Sequence, residues 1–236
     1  MRHQLLPYRE GEDAFDAFIA RPEGDGPHPL MLVCHAWAGR GEFAEARARQ
    51  LAELGYVGAA VDLYGVGKRG TDAASSNALM SSLIADPPKL RRRLQAAHDA
   101  VRALDGVDGD RVGAIGYCFG GLCAILMARM GLPLRGVASF HGLLKVGEPL
   151  EAEVKARILV LHGQDDPMVA PADVGAFAEE MKRIDADWQL HAYRGAVHAF
   201  TNPEAHDREA GSAYDAEADR RSWAAMRHFF EELFAG

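Results

Sequence analysis

The feature that most constrains the fold of this chain is a regular alternation of short β-prone runs with longer helix-prone stretches. Parallel strands cannot be joined by a tight turn, and the crossover between them is usually a helix. The alternation therefore predicts an α/β fold, with a mainly parallel sheet and helices on both of its faces. The predicted strands span residues 14–20, 30–35, 57–63, 112–117, 136–141, 158–162 and 189–193, and the predicted helices span residues 42–54, 89–103, 122–130, 172–183 and 216–234.

No internal repeat or low-complexity linker interrupts this order, so the chain is predicted to form a single domain, residues 1–236. Two residues support the helix boundaries: Gly55 directly follows one helical stretch, and Pro171 directly precedes another. Two loops, residues 65–77 and 201–214, are longer than simple connections require. Loops of this kind often carry function.

The composition excludes several classes of protein. Apolar residues make up 48% of the chain, but no apolar run approaches the roughly 18 residues that a membrane helix needs. The formal charge of −8 disfavours nucleic-acid binding, because carboxylates repel phosphates. The basic run from Lys89 to Arg93 is predicted to be a solvated helix face. The N-terminal sequence has no apolar signal core, which favours a cytoplasmic location.

The sequence Gly-Tyr-Cys-Phe-Gly-Gly at residues 116–121 lies between a predicted strand and a predicted helix. This is the context of a nucleophile elbow, a sharp turn whose flanking glycines leave room for neighbouring backbone. Gly116 and Gly120 have that spacing around Cys118. A helix N-terminus favours the thiolate, and the backbone N–H of Phe119 would be one oxyanion donor. The alternative is that Cys118 is a small core residue and the glycines only tighten the packing.

A carboxylate and a histidine follow later strands in the order that a hydrolase triad requires. Asp166 lies in a turn just after the sixth predicted strand, and the spacing of that turn favours it over Asp165. His198 follows the seventh predicted strand. Because the carboxyl ends of parallel strands meet at one edge of the sheet, Cys118, Asp166 and His198 are expected to converge there.

The sequence contains no motif for a metal ion or a nucleotide cofactor. No H-E-x-x-H pattern or zinc-type spacing occurs, and the side chains of Cys34 and His35, adjacent on one strand, would point to opposite faces. The run at 113–121 lacks the G-x-G element of a dinucleotide fingerprint. We therefore predict that the protein uses no metal and no cofactor. The three cysteines, Cys34, Cys118 and Cys123, form no C-x-x-C pair and are expected to be reduced thiols.

Four motifs of this chain together resemble the dienelactone hydrolase family of α/β-hydrolases. They are Val61-Asp62-Leu63-Tyr64-Gly65, Gly116-Tyr117-Cys118-Phe119-Gly120-Gly121, Gly163-Gln164-Asp165-Asp166 and Gly195-Ala196-Val197-His198-Ala199-Phe200. The resemblance covers nearly the whole chain and implies the α/β-hydrolase fold. It also implies a triad of Cys118, His198 and Asp166 that acts on lactones or related esters without a cofactor. By the same resemblance, the Trp37 N–H is the second oxyanion donor.

Two positions depart from the pattern of the family members that hydrolyse dienelactone. Those members have a glutamate near the end of the second predicted strand that takes part in activating the thiol, and this chain has Ala36 there. They also have an arginine shortly after the histidine that binds the substrate carboxylate, and this chain has Asn202. Both departures argue against dienelactone itself as the substrate.

We predict a cysteine-dependent hydrolase of activated esters or lactones that forms a thioester acyl-enzyme. A thiolate leaves a tetrahedral intermediate more readily than a simple alkoxide does, so only substrates with good leaving groups should turn over. Two other classes stay open: a thiol redox protein in which Cys34 or Cys123 partners Cys118, and a non-catalytic protein that keeps the fold. The predicted partner is a small ester or lactone, not a membrane or a nucleic acid, and the oligomeric state is left open.

Overall fold

In a computed structural model that describes residues 2–145 and 153–235, the protein is built around an eight-stranded sheet. Its strands are β1 (Arg2–Glu10), β2 (Asp13–Arg21), β3 (His28–Cys34), β4 (Val57–Val61), β5 (Val107–Tyr117), β6 (Gly136–Phe140), β7 (Arg157–Gly163) and β8 (Trp188–Tyr193). The helices are α1 (Glu42–Glu53), α2 (Ala73–Ile84), α3 (Pro87–Arg102), α4 (Phe119–Arg129), α5 (Pro171–Arg183) and α6 (Ala216–Ala235). Every predicted strand and helix is present, with shifts of a few residues at the ends. None of the described helices is long and apolar enough to cross a membrane.

Parallel pairing dominates the sheet, whose strand order is β1-β2-β4-β3-β5-β6-β7-β8. The strands β3 to β8 run parallel to one another, whereas β2 is antiparallel to both β1 and β4. The carboxyl ends of β5, β7 and β8 therefore lie at one edge of the sheet. The segments that follow these three strands carry Cys118, Asp166 and His198. In open sheets of this kind, ligands bind at this edge.

Different helices cover the two faces of the sheet, so the predicted α/β class is confirmed. Neighbouring residues of β3 point to opposite faces: Leu32 packs in one core cluster, and Met31 and Val33 pack in the other. The first cluster includes residues of α3, α4 and α5, and the second includes residues of α1 and α6. Trp223 and Phe229 of α6 belong to the packing of the second cluster. Both residues therefore help to cover the sheet.

The strand β1 is not apparent from the sequence pattern. Tyr8 is buried, but most other side chains of β1 are exposed or half-buried, so no period-two alternation marks the strand. It forms because its backbone pairs with β2 along its whole length. Pro7 is compatible with this position because β1 is an edge strand. Nonlocal pairing, and not local hydrophobicity, therefore defines β1.

The predicted loop at 65–77 is shorter than expected, because its last residues belong to α2. Asp72 caps this helix: its carboxylate accepts from the Ser75 N–H at 2.7 Å, and the Ser75 hydroxyl oxygen accepts from the Asp72 N–H at 3.2 Å. Only two residues of α2 are buried. The apolar periodicity that normally reveals a helix is therefore weak here.

The prediction of a solvated basic helix face is wrong for Arg93. Its side chain is buried, with Nη1 donating to the Leu63 carbonyl at 2.8 Å and Nη2 paired with Asp13 at 2.7 Å. The guanidinium also lies over the Phe15 ring, 4.9 Å from its centroid. The side chain thus ties α3 to β2 and to the segment that follows β4.

We expect Arg93→Ala to lower the free energy of unfolding by about 2 kcal/mol or more, because it removes the donor to the buried Leu63 carbonyl and the contact with Phe15. Arg92→Ala is the matched control: the Arg92 side chain is 58% exposed and pairs with Glu10. Its loss should change the free energy by no more than about 0.5 kcal/mol. Urea unfolding measures both variants, and equal effects would contradict the structural role of Arg93.

Candidate active site

Cys118 occupies the junction between β5 and α4, the position predicted for a nucleophile elbow. The helix begins at Phe119, directly after the cysteine, and not at residue 122 as the sequence pattern predicts. The backbone of Cys118 has φ 55° and ψ −117°, which is strained for a residue with a side chain. Its N–H donates to the Phe140 carbonyl at 3.1 Å, and the residue is partly exposed. The turn thus holds the thiol at the carboxyl edge of the sheet.

Close backbone contacts explain the glycines of this turn. A Cβ on Gly116 would lie 1.9 Å from the Gly120 carbonyl oxygen, and a Cβ on Gly120 would lie 2.1 Å from the Cys34 carbonyl oxygen. Both distances are far below van der Waals contact, so a larger residue fits only if the backbone moves. The helix α4 can therefore approach the ends of β3 and β5 only with glycine at these positions.

The N–H of Phe119 is at the first position of α4, where a helical N–H has no acceptor within its own helix. The Phe119 side chain is fully buried, and its ring centroid lies 6.0 Å from that of Tyr64 and 6.2 Å from that of His35. This packing fixes the residue directly after Cys118. A free N–H next to a nucleophile is one part of an oxyanion hole.

Hydrogen bonds to two successive carbonyls fix the loop that carries Trp37. The Ala36 carbonyl accepts from His35 Nδ1 at 2.7 Å and from the Gly39 N–H at 3.1 Å. The Trp37 carbonyl accepts from the Tyr64 hydroxyl at 2.8 Å. Because the Ala36 carbonyl and the Trp37 N–H share one peptide plane, these bonds also fix the direction of the Trp37 N–H.

His35 is a buried polar residue that sequence reasoning did not assign to the site. Its Nε2 accepts from the Leu63 N–H at 3.2 Å, so the proton of the neutral ring is on Nδ1, which donates to Ala36. Burial lowers the pKa of His35, which keeps the ring neutral. His35 thus links the loop after β3 to the segment after β4.

Asp166, and not Asp165, contacts the histidine. The Asp166 N–H donates back to the Gly163 carbonyl at 3.0 Å, which closes the turn after β7. One carboxylate oxygen of Asp166 accepts from the Met168 N–H at 2.8 Å, and the other accepts from His198 Nδ1 at 2.8 Å. The Asp166 side chain is fully buried, whereas Asp165 is exposed. The carboxylate therefore has a fixed orientation toward the imidazole.

The loop after His198 folds back and holds the histidine. It contains two short paired strands, β9 (His206–Asp207) and β10 (Ser212–Ala213). The His198 N–H donates to the Gly211 carbonyl at 3.0 Å, and the His198 carbonyl accepts from the Ala213 N–H at 3.0 Å. The backbone of the histidine is thus fixed on both sides of the residue, and its side chain is buried.

The charge state of His198 depends on burial and on two partners. Burial alone would lower its pKa, but the hydrogen bond with Asp166 and the nearby Cys118 thiol raise the pKa to about 10. The buried Nε2 has no hydrogen-bond partner of ordinary geometry among the described residues. Catalytic hydrogen bonds are often long before substrate binds. Asp166 and Cys118 therefore both favour the imidazolium form, and among the described residues no other group is hydrogen-bonded to Nε2.

Sequence reasoning missed His141, whose ring packs against that of His198, and Thr201, which is hydrogen-bonded to His141. The ring centroids of His141 and His198 are 5.1 Å apart, with 67° between the ring planes. His141 Nε2 is hydrogen-bonded to Thr201 Oγ1 at 2.8 Å in a buried contact. The sequence pattern puts His141 at the end of a strand. His141 directly follows β6, just as Asp166 and His198 follow β7 and β8. This position after a parallel strand is the sequence feature that could have identified it as a residue near the site.

Neither position that departs from the dienelactone-hydrolysing pattern brings a charge to the site. Asn202 is partly buried, and its side-chain oxygen accepts from the Glu204 N–H at 3.1 Å, so it stabilises its own turn. Ala36 is partly buried in the loop that carries Trp37. The members that hydrolyse dienelactone have a positively charged arginine in place of Asn202 and a negatively charged glutamate in place of Ala36.

The other two cysteines are buried thiols. Cys34, Cys118 and Cys123 are all free. Burial raises the pKa of Cys34 to about 12 and raises the pKa of Cys123 well above its usual value, so both stay protonated. Among the residues that the structure describes, no group of three or more His, Cys, Asp or Glu side chains could hold a metal ion.

The sequence profile of the dienelactone hydrolase family matches the chain over residues 15–234. The chain belongs to the dienelactone hydrolase family. The predicted α/β-hydrolase fold and the predicted hydrolase class are therefore confirmed.

Known proteins similar to this member of the dienelactone hydrolase family include enzymes and an uncharacterized protein. A crystal structure of a dienelactone hydrolase-like promiscuous phosphotriesterase from metagenomic libraries has 37% identity and a TM-score of 0.92, with 98% of each chain covered. A probable 2-oxo-3-(5-oxofuran-2-ylidene)propanoate lactonase of Bradyrhizobium is 31% identical over 197 residues, or 78% of each chain. An uncharacterized protein of Caenorhabditis elegans is 42% identical over 151 residues, or 62% of this chain and 96% of that protein.

We expect Gly120→Ala to lower the free energy of unfolding by about 3 kcal/mol, because the new Cβ would collide with the Cys34 carbonyl. Gly175→Ala in α5 is the matched control, since a Cβ there meets nothing within 4 Å. That substitution should be neutral or should stabilise the protein by up to about 1 kcal/mol. Urea unfolding compares the two variants. A Gly120→Ala protein as stable as the parent would rule out the close approach of α4.

The raised pKa of His198 predicts a loss of stability at alkaline pH. The pKa is about 10 in the folded protein against 6.5 as the ordinary value, so the stabilisation is complete below about pH 6.5 and is lost as the pH rises through about 10. The free energy of unfolding of the parent, relative to His198→Gln, should fall across this range. Urea unfolding at several pH values measures it, and a difference that is constant with pH would contradict the prediction.

Proposed function

We propose that the protein is a cysteine-dependent hydrolase of activated esters and lactones, with Cys118 as the nucleophile, His198 as the proton carrier and Asp166 as the residue that orients it. One observation carries the proposal. At a strained strand–helix turn, a partly exposed thiol lies near a buried imidazole whose pKa, despite burial, is raised by that thiol and by a carboxylate. A cysteine that only packs in the core would need neither the strain nor the imidazole.

In the first half-reaction, the Cys118 sulfur attacks the acyl carbonyl of the substrate after its proton has passed to His198. The raised pKa of His198 supports this transfer. The N–H groups of Phe119 and Trp37 donate to the carbonyl oxygen as it becomes negative. The intermediate then expels the leaving oxygen, which takes the proton from His198, and a thioester remains on Cys118.

In the second half-reaction, water attacks the thioester carbonyl while His198 accepts a proton from it. The second intermediate expels the Cys118 thiolate and releases a carboxylic acid, so one water molecule is consumed for each ester bond. Asp166 holds His198 through Nδ1 in both halves, which leaves Nε2 to carry the proton. The N–H of Met168 occupies the second oxygen of Asp166 and keeps the carboxylate from turning.

The thiol nucleophile restricts the substrate class. Because a thiolate leaves more readily than an alkoxide, attack on a plain alkyl ester mostly reverses. Enol lactones, aryl esters and thioesters have leaving groups that compete with the thiolate. The similarity to a probable lactonase of Bradyrhizobium supports the lactone class. Ala36 and Asn202 bring no charge to the site, which favours uncharged substrates over dienelactone, whose carboxylate would lack a cationic partner there.

A second candidate activity is the cleavage of aryl phosphate triesters. It is favoured by the 37% identity and the TM-score of 0.92 to a promiscuous phosphotriesterase. The same sulfur would attack phosphorus and expel a phenolate, and water would then release the phosphate diester from Cys118. A triester carries no negative charge, so its binding does not need the arginine that this chain replaces with Asn202.

The state of the three cysteines indicates where in the cell the protein functions and whether it could be a redox protein. All three cysteines are free, which suits a reducing compartment, so we propose a cytoplasmic location. A redox function would need a second thiol to resolve an oxidised Cys118. Burial keeps Cys34 and Cys123 protonated, which argues against either as that partner.

The proposal is tested with an enol lactone, an aryl ester, an ethyl ester and an aryl phosphate triester as substrates. Cys118→Ala and His198→Ala should each lower kcat/KM for the lactone and the aryl ester by at least about 1,000-fold, while circular dichroism shows an unchanged fold. Cys123→Ala is the matched control, because it removes a fully buried thiol of α4, the helix that follows Cys118, and it should keep most of the activity.

Three results would contradict the proposed function. The first is faster turnover of the ethyl ester than of the aryl ester. The second is lactone hydrolysis that survives Cys118→Ala. The third is peroxide consumption that needs Cys118 but not His198, which would favour the redox alternative. Turnover of the phosphate triester decides only the second candidate activity.

A further inference from the structure

Besides its interactions with Asp166 and Cys118, the imidazole of His198 packs against the ring of His141. The two rings meet in a T-shaped arrangement, with centroids 5.1 Å apart and 67° between the planes. One hydrogen bond at Nδ1 leaves an imidazole free to rock about that contact. A second ring packed against it restricts this motion, which matters because Nε2 must stay aligned with the Cys118 sulfur.

His141 is itself held firmly. It is buried, its backbone N–H donates to the Leu161 carbonyl at 2.8 Å, and its ring Nε2 is hydrogen-bonded to Thr201 Oγ1 at 2.8 Å. The Phe200 ring packs against it with centroids 5.1 Å apart. Its backbone has φ 39°, an uncommon value for a residue with a side chain. Contacts at its backbone and at its Nε2 atom therefore fix the orientation of the ring.

Thr201 is in turn fixed by Arg47. The Thr201 carbonyl accepts from Arg47 Nη2 at 3.0 Å, and the same nitrogen is paired with Asp219 at 2.9 Å. The Arg47 guanidinium also lies over the rings of Tyr117 and Trp223, 5.6 Å and 5.1 Å from their centroids. Tyr117 directly precedes Cys118 in the chain. One buried guanidinium thus contacts both the turn of the proposed nucleophile and the loop of the proposed base.

A purely structural role would be filled better by an apolar side chain at position 141. The Nδ1 atom of His141 is buried and has no hydrogen-bond partner among the described residues, so the ring carries a desolvation cost. Burial and the neighbouring His198 lower the pKa of His141 well below its usual value. The ring is therefore neutral and can lie against an imidazolium without charge repulsion.

We propose that His141 is a positioning residue for the base: tied to Thr201, its ring keeps the His198 imidazole aligned between Asp166 and Cys118. The inference rests on the proposed function, because it presupposes that His198 acts on Cys118. It adds His141 and Thr201 to the residues on which the reaction depends, although neither touches the substrate carbonyl.

The test follows the pH dependence of the thiol, so the ionisable groups around both rings matter. His198 interacts with Asp166 and Cys118, and His141 interacts with His198 and with Arg47. His162 on β7 interacts with both Asp166 and His198, and burial lowers its pKa. His162 is present in every variant of the test, so differences between variants report the alignment of His198.

The first variant is Thr201→Val, which removes the hydroxyl and keeps the shape. The second is His141→Asn, because asparagine tolerates positive φ better than other residues with a side chain. Each should lower kcat for the aryl ester by about 10-fold to 100-fold with KM changed less than about 2-fold, because misaligned groups lose rate and not binding. The pH midpoint of Cys118 alkylation by iodoacetamide should also rise, because a misaligned imidazolium stabilises the thiolate less.

His98→Asn is the matched control. His98 of α3 is another buried histidine, with an Nε2 that has no partner among the described residues, and it is not part of the site. This variant should lose thermal stability but keep the parental alkylation midpoint and kcat. If His141→Asn does not fold, Thr201→Val alone decides the question.

The inference is overturned if Thr201→Val and a folded His141→Asn keep the parental midpoint and kcat, or if they change only thermal stability or KM. His198→Ala separates this failure from failure of the proposed function. If His198→Ala raises the midpoint and the other two variants do not, only the role of His141 is wrong. If His198→Ala leaves the midpoint unchanged, the thiol does not depend on the histidine, and the proposed function fails together with the inference.

Discussion

The close approach of α4 to the ends of β3 and β5 is the constraint on which the rest of the site depends. Because Gly116 and Gly120 carry no side chain, backbone meets backbone and the chain can turn sharply between β5 and α4. The turn holds Cys118 at a positive φ, and it starts the helix at Phe119. The turn itself therefore places the Cys118 thiol next to the first free N–H of the helix, and no contact with another segment is needed to bring them together.

The sequence predicts the parts of this molecule that local patterns specify. The parallel sheet and its helices follow from alternating apolar runs, and the meeting of Cys118, Asp166 and His198 at one edge follows from their positions after strands. The strand β1 and the helix α2 are different, because neither buries a regular apolar face. One is defined by pairing with β2, and the other by a capping interaction that precedes a serine-rich segment.

The polar residues behind the site could not be predicted, because their importance comes from contacts between distant segments. Arg47 donates to a carbonyl 154 residues later in the chain, and Arg93 to one 30 residues earlier. In the sequence, both are ordinary basic residues on amphipathic helices. Only the folded chain shows which basic side chain finds a buried acceptor and which stays in water. His141 and His35 escape notice for the same reason.

The bonded carbonyls of the Trp37 loop have a consequence for how this architecture can diversify. Ala36 and Trp37 have their acceptors occupied by His35, Gly39 and Tyr64, so the loop is set before any ligand arrives. A preset site spends none of its binding energy on rearrangement. Substitutions in the exposed segments around the site could then change which substrates enter it without changing the positions of the catalytic groups. Substrate selectivity and reactivity could therefore evolve separately.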